Sequence, residues 1–521
     1  MTAGTLVALA ASVGDIDTSD QLIMFEAYQK IFIINGAKLK VVDFINTKLT
    51  VTALTTAPTK GSTVTQATSG ATMIVDFVNT AKTMIYGYTT SGTFVTTAGY
   101  TLSGGSMDPE TRVPSAVAQA TTLPHWYDYT VYPGGASGSL PAKAYLGCTY
   151  RGSIWLSGNP NKPNQWYKSR NGNPWDYAYV ANDGGSPVAG GENPNVPGEV
   201  GDIVRALIPR GREYLIFGCA TTMWVMYGDP AEGGSLSAID ETTGIFGALS
   251  WCFDEDDNLY FWGVGGIYKI GKSNISAELL TEINLPELVG DEAVNPTTHR
   301  ITMGYDRKRH GLIICITTLA DGHNSNYFMS LSPVTFGDSE VQKYAFFPES
   351  YPHECGAYSV WFYAANDPAY RDLLMGCKDG YIRKFLSTAK SDDIGVTNEA
   401  ISSYITLGPF ALASDGKEGS INSMALTSAG GGSGGTETDS NNIGYKVFVG
   451  RTASEVAEKA KANTDPRVSG TFTAPGNPRG QVKKQKIRGA FAVIRLENIT
   501  ADETMSFDQL VVNVSEKGRI K

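Results

Sequence analysis

The stretch GGIYKIGKS, residues 265–273, places Gly266, Gly271, Lys272 and Ser273 in the spacing G-x-x-x-x-G-K-[ST]. In a phosphate loop that spacing lets backbone N–H groups converge on an anion while the lysine reaches the outer phosphates. The residues between the glycines argue against such a loop here. Ile267, Tyr268, Lys269 and Ile270 alternate as a strand does, LYFWGV before them is strand-like, and no Mg²⁺-binding acidic strand follows. The stretch reads as the second strand of a hairpin.

Other chemically suggestive runs are weaker. HECGA (353–357) begins like the zinc pair H-E-x-x-H, but Ala357 stands where the second imidazole is required. His125, His299, His310 and His323 are scattered and form no recognisable ligand set. Asp254 to Asp257 in CFDEDDNLYFW are consecutive acids without the glycine and distal Glu of a calcium loop, so a hairpin turn is expected. DRKRHG (306–311) carries enough positive charge to touch phosphate, yet it joins the apolar runs ITMGY and LIICIT as a turn would. SRNGNPW (169–175) is faintly similar to the Asp-box turn of sialidase propellers, with Asn171 in place of the Asp and Gly172 one position early. No G-x-S-x-G nucleophile turn occurs. Carboxylate pairs for glycoside cleavage meet only in three dimensions, so spacing cannot select them. No catalytic, cofactor-binding or metal-ligating residue is assigned, and no cofactor is expected.

Short strands and tight turns must position these residues. The chain has 521 residues, enough for about three domains. It holds 58 glycines and only 18 % charged residues, a balance that favours strands and turns over helices. ASEVAEKAKA, near 453–462, is the best helical candidate. The net charge of −10 gives no basic face for sequence-specific DNA binding, though DNA could slide past such a surface. The six cysteines form no C-x-x-C pair and mostly sit in apolar runs, as buried free thiols of a reducing compartment would. MTAGTLVALAASVGD at the N-terminus lacks a basic region, so no signal peptide is expected. No apolar run reaches the length of a membrane span.

One hairpin is written repeatedly. AYLGCTYRGSIWLSG (144–158), YLIFGCATTMWVMYG (214–228), LYFWGVGGIYKIG (259–271) and DLLMGCKDGYIRKF (372–385) each pair an apolar strand with a turn and a second strand. KIFIINGAKLKVVDF (30–44) and ITMGYDRKRHGLIICIT (301–317) are fainter copies. Repeated β units at roughly 45 to 70 residues suggest propeller blades with loop insertions, a face-to-face sandwich being the alternative. The expected fold is all-β: a β-propeller with an inserted small β domain and a C-terminal β-sandwich-like domain. Residues 1–44 would hold the first propeller hairpin, 45–122 the Thr-, Ser- and Gly-rich insertion, 123–400 the main propeller and 401–521 the C-terminal domain. The run AGGGSGGTETDSNN in the last region is expected to be a surface loop. The basic stretch 476–521 has nine Lys or Arg against five Asp or Glu, and is either a solvated face or a dock for an acidic partner.

GSIWLSGNPNKPNQWYKSRNGNPWDYAYV (152–180) resembles a passage of the hub or nozzle proteins of short-tailed bacteriophages. Gly158, Asn159, Pro160, Pro163, Asn164, Ser169, Gly172, Asn173, Pro174 and Trp175 carry the resemblance. The runs at 201–229 and 242–270 are similar to further blades of that family, and KIRGAFAVIRLEN with FDQLVVNV to its closing strands. The resemblance covers 123–400 best and indicates lineage more than any active site. It implies a non-enzymatic virion tail component, made in the host cytoplasm, that forms a homo-hexameric ring below the adaptor and portal. Such a ring extends the channel for DNA retention and ejection without reading sequence, and holds fibres, a needle or a tip. A predominantly acidic lumen and no stable membrane insertion are expected. Two other readings stand beside it: a propeller glycosidase or depolymerase acting on host-surface polysaccharide, and a glycan- or receptor-binding tail module.

Overall fold

The structure is a computed structural model describing residues 16–519 except 18–20, 108–111, 119–124, 130–139, 191–199, 273–274, 283, 333, 336–341, 387–388, 396–397, 415–416, 430–439 and 474–478. The N-terminal apolar run, Ser273 and most of the glycine-rich run lie outside the described residues. Strands account for 52 % and helices for 6 %, so the protein is all-β.

Four-stranded antiparallel meanders follow one another along the chain, as propeller blades do. The first contains Ile23–Ala27, Lys30–Asn35, Lys38–Asp43 and His125–Asp128. Its fourth strand arrives only after a long excursion, in which Thr47–Thr50, Thr63–Gln66, Thr72–Val78, Met84–Ser91, Leu102–Gly104 and Ala116–Ala118 build a separate six-stranded sheet. The second blade comprises Leu146–Tyr150, Ser153–Asn159, Lys162–Lys168 and Val188–Ala189. Val204–Arg210, Tyr214–Cys219, Met223–Tyr227 and Ser235–Asp240 make the third. Trp251–Phe253, Leu259–Trp262, Ile267–Ile270 and Ala277–Leu279 make the fourth. A further four-stranded sheet orders His299–Asp306, Gly311–Thr318, Asn324–Ser330 and Phe346–Glu349, and a three-stranded one orders Ala357–Tyr363, Asp372–Cys377 and Ile382–Lys384.

The repeated hairpins of the sequence are all present, but not in one slot. Residues 214–228, 259–271 and 372–385 supply the second and third strands of their sheets, whereas 144–158 supplies the first and second. Sequence similarity between hairpins therefore follows their turn chemistry and only in part their position in a blade.

Two compact units are present, Met1–Ile313 with Met329–Phe346 and Ala364–Arg371, and Ile314–Phe328 with Phe347–Tyr363 and Asp372–Lys521. In the first, blades stack through aromatic and aliphatic faces. Trp155, Trp166 and Phe217 sit in the core between the second and third blades, and Ile216, Phe261 and Ile270 in the core between the third and fourth. The inserted sheet has a core of its own around Val64, Met73, Val75 and Ile85. Its Phe77 and Tyr86 instead reach the blades, where Phe77 stacks on Trp175 at 4.4 Å between ring centres and Tyr86 lies 4.4 Å from Tyr127. A buried polar network reinforces this seam. Lys30 Nζ lies 2.9 Å from Asp76 Oδ2, Asn46 Nδ2 donates to both Asp43 and Asp76, and Tyr127 donates to Asp43. Burial pushes the Asp76 carboxyl up, but Lys30 and Lys60 outweigh it and hold the group below its ordinary range.

The second unit ends in two facing sheets. One orders Ser403–Ala411, Phe491–Asn498, Ile443–Gly450 and Val468–Phe472; the other orders Arg479–Gly489, Lys417–Ser428 and Phe507–Arg519. Met424, Leu426 and Ile487 of one sheet and Val447, Ile494 and Leu496 of the other form a shared sandwich core. The expected helix spans Ala453–Ala462. Thr452 caps it by accepting the Glu455 N–H, Glu455 accepts the Arg451 N–H, and Asn463 closes it in the left-handed conformation. Val456 and Ala460 bury its inner face against Phe448 and Val493.

Candidate functional site

The phosphate-loop spacing belongs to a blade hairpin. Ile267–Ile270 pairs with Leu259–Trp262, so its amides are spent on a ladder and cannot converge on an anion. Gly266 is glycine for a steric reason: at φ +143°, a Cβ there would lie 2.0 Å from Thr281 Oγ1. Lys272 pairs with Asp257 at 2.8 Å. In the acidic run, Asp254 accepts from the Asp256 and Asn258 amides, the Asn258 side chain and the Tyr260 hydroxyl, so its carboxylate organises a turn. Asp306 does the same in DRKRHG, accepting from the Lys308 and Arg309 amides and from Arg309 Nε.

The residues from 152 to 180 form a joint between blades. Asn159 and Lys162 close a tight hairpin turn after a register shift at Gly158, and Asn159 Oδ1 accepts the Asn161 N–H. Ser169 Oγ accepts the Ile154 N–H, tying the end of one strand to its neighbour. Lys168 is fully buried, and its ammonium donates to Asp229 Oδ1 at 2.9 Å and to the Ser186 carbonyl at 3.0 Å. Burial lowers the Lys168 pKa, and the bond to Asp229 opposes that shift. Asp229 lies just beyond the third strand of the next blade, where it also accepts from Asn171 Nδ2 and caps a short turn through the Ala231 N–H. Trp175 is buried among Phe32, Phe77, Tyr127 and Tyr129, while Tyr129 donates to the Pro174 carbonyl at 2.6 Å. Residues within 152–180 thus hold the first blade, the inserted sheet, the second blade and the third together. The faint Asp-box likeness has the same explanation, since Asn171 spends its amide on Asp229.

In the second unit, Asp392 faces Glu399 across a two-stranded ladder, Ser391–Asp393 with Asn398–Ala400. Burial pushes the Asp392 carboxyl up to about 6, Glu399 adds to the shift, and Arg383 opposes it. Such a group can carry a proton near neutrality. His353 opens a short 3₁₀ turn, and its ring meets His323 from another loop. Among the described residues, no group of three or more His, Cys, Asp or Glu could hold a metal ion. All six cysteines are buried and free, with burial pushing the Cys219 and Cys355 thiols up to about 12.

Sequence reading missed an exposed aromatic face. In the three-stranded sheet, the registers Trp361↔Leu374↔Lys384 and Ser359↔Gly376↔Ile382 put Trp361, Tyr363, Leu374 and Ile382 on one side. Trp361 is 77 % exposed, and Tyr363, Tyr381 and Ile382 are exposed beside it. The alternation in AYSVWFY signals this face, but buried and exposed sides of a strand carry equally apolar letters here.

These features define an all-β, blade-built protein with structural joints and an exposed aromatic face. No protein-family model matches the chain, and no curated protein matches it. Among solved structures, the exo-β-1,3-galactanase of Phanerochaete chrysosporium with galactose is similar at 10 % identity and a TM-score of 0.22, covering 71 % of this chain and 95 % of that one. A likeness that distant carries no argument about chemistry. No helix among the described residues is long and apolar enough to cross a membrane.

Proposed function

We propose that this chain is a structural component of a short phage tail, of the hub or nozzle kind, acting as a conduit for DNA and not as an enzyme. The observation that supports the reading most is the joint at 152–180. Trp175 and Pro174, which belong to the resembling passage, contact the first blade and the insertion, and Lys168 and Asn171 within the same passage tie it to the third blade, as a shared scaffold would require. An antiparallel meander with short edges is stiff and resists stray pairing, which suits a part that contains packaged DNA. The Trp361–Tyr363–Ile382 face has the Trp- and Tyr-rich character of subunit contacts, so it is assigned to assembly in a homo-hexameric ring. Adaptor, portal and fibre or tip proteins are its expected neighbours, and its place is the virion tail.

The test is to recover the native protein with an antibody and image what accompanies it by electron microscopy. A ring at the tail of a particle supports the reading. Recovery of lone protein bound to no particle overturns it and directs attention to polysaccharide cleavage, where release of reducing sugar is the readout.

A further inference from the structure

The run HECGA fails as a zinc motif because Ala357 replaces the second histidine, but the fold supplies an imidazole from elsewhere. We propose that His323 and His353 form a two-imidazole binding site for a divalent transition metal of the zinc class. This inference is independent of the tail reading.

Both loops are fixed before any metal arrives. Thr318 and Gly322 close the turn that carries His323, through Thr318 N–H to the His323 carbonyl at 2.8 Å and Gly322 N–H to the Thr318 carbonyl at 2.9 Å. Asp321 Oδ1 accepts the His323 N–H at 2.9 Å. Buried Asn324 then pins this turn to the other loop: its amide donates to the Gly322, Tyr351 and Pro352 carbonyls, and its oxygen accepts the Tyr351 N–H. Gly322 sits at φ +81°, and a Cβ there would come within 2.4 Å of the His353 carbonyl oxygen, so the close approach of the loops depends on glycine. Both imidazoles are exposed at the surface of this clamp.

The ring geometry fits one shared ion. His323 Nδ1 and His353 Nε2 are 3.4 Å apart, and the ring centres are 5.3 Å apart with planes at 85°. Two imidazole nitrogens at ~2.0–2.1 Å from a tetrahedral zinc stand about 3.3–3.4 Å from each other, with ring centres about 5.2 Å apart. A straight N–H···N bond of the same length would push the ring centres to about 5.7 Å, and 3.4 Å is itself long for a hydrogen bond. Neutral imidazole is the natural ligand for zinc, copper and nickel. The Asp321 carboxylate adds negative charge beside the pair, while the Lys378 ammonium, bound to the Ala320 carbonyl, opposes it. Among the described residues no third His, Cys, Asp or Glu joins the pair, so water would complete the coordination of an ion held there. The other histidines are engaged or enclosed: His299 Nδ1 accepts the Asn295 N–H, His310 Nδ1 meets the Tyr305 hydroxyl, and His125 is buried.

The full chain, stripped with a chelator, is titrated with Zn²⁺ by calorimetry and with Co²⁺ by visible absorption. The proposal expects one ion per chain, and a loss of affinity of more than about tenfold in His323→Ala and in His353→Ala alike. His299→Ala should bind as the wild type does. Because both side chains are exposed, far-ultraviolet circular dichroism of all variants should be unchanged. Absence of binding by the wild type, or equal binding by the wild type and both variants, overturns the site and leaves the pair as a hydrogen-bonded contact.

Discussion

Lys168 and Asp229 show how much a single buried pair governs in this molecule. Both are enclosed, and each has further hydrogen bonds that satisfy it. Removing one partner leaves the other as an uncompensated buried charge, so Lys168→Ala should destabilise the protein by ~3–5 kcal/mol. Lys168→Met combined with Asp229→Leu should cost much less, and denaturant midpoints of the three proteins check this. Asp392 provides a pH-dependent counterpart. Its folded pKa of about 6 lies above that of an unfolded carboxylate, so its stabilising contribution is complete below the unfolded value, near ~3.9, and disappears as pH rises through 6. Asp392→Asn should therefore gain thermal stability relative to wild type as pH increases from about 4 to about 7. A constant difference across that range would show that Asp392 titrates like a free side chain.

At the level of elements, turn chemistry and periodicity were legible wherever they were local. The helix at 453–462 was expected on its apolar spacing, and the cap at Thr452 with Asn463 behind it explains why it stops where it does. Thr452→Ala should cost about 0.5–2 kcal/mol, read as faster hydrogen exchange at the amides of the first turn. Val468–Phe472 and Arg479–Gly489 are strands outside the repeated hairpins. The second of these reads as a basic tail because Lys484, Lys486 and Arg488 face solvent along the edge of a sheet. Charge on an edge strand discourages pairing with other chains, so the same letters that hide the strand protect it. The phosphate-loop spacing was rejected on strand-like alternation, the strand-like run before it and the lack of a following acidic strand, and the ladder with Leu259–Trp262 supplies the physical reason.

For the whole molecule, function depends on which surfaces are left to other chains. Trp361 is the most exposed aromatic residue of its sheet, and an exposed substitution there should change folding stability by less than about 0.5 kcal/mol. Trp361→Arg is expected to lower the association state measured by sedimentation while leaving the thermal midpoint in place. Unchanged association would remove this face from the ring interface.

Composition, turn residues and repeated hairpins determined the all-β class, most strand positions and the helix, because these depend on neighbours within a few residues. The tertiary structure alone decided that His353 meets His323 and that Trp175 lies against Phe77 of the inserted sheet. Each of those pairings joins segments whose separation in the chain carries no local signal, and only the packing of sheets brings them within reach.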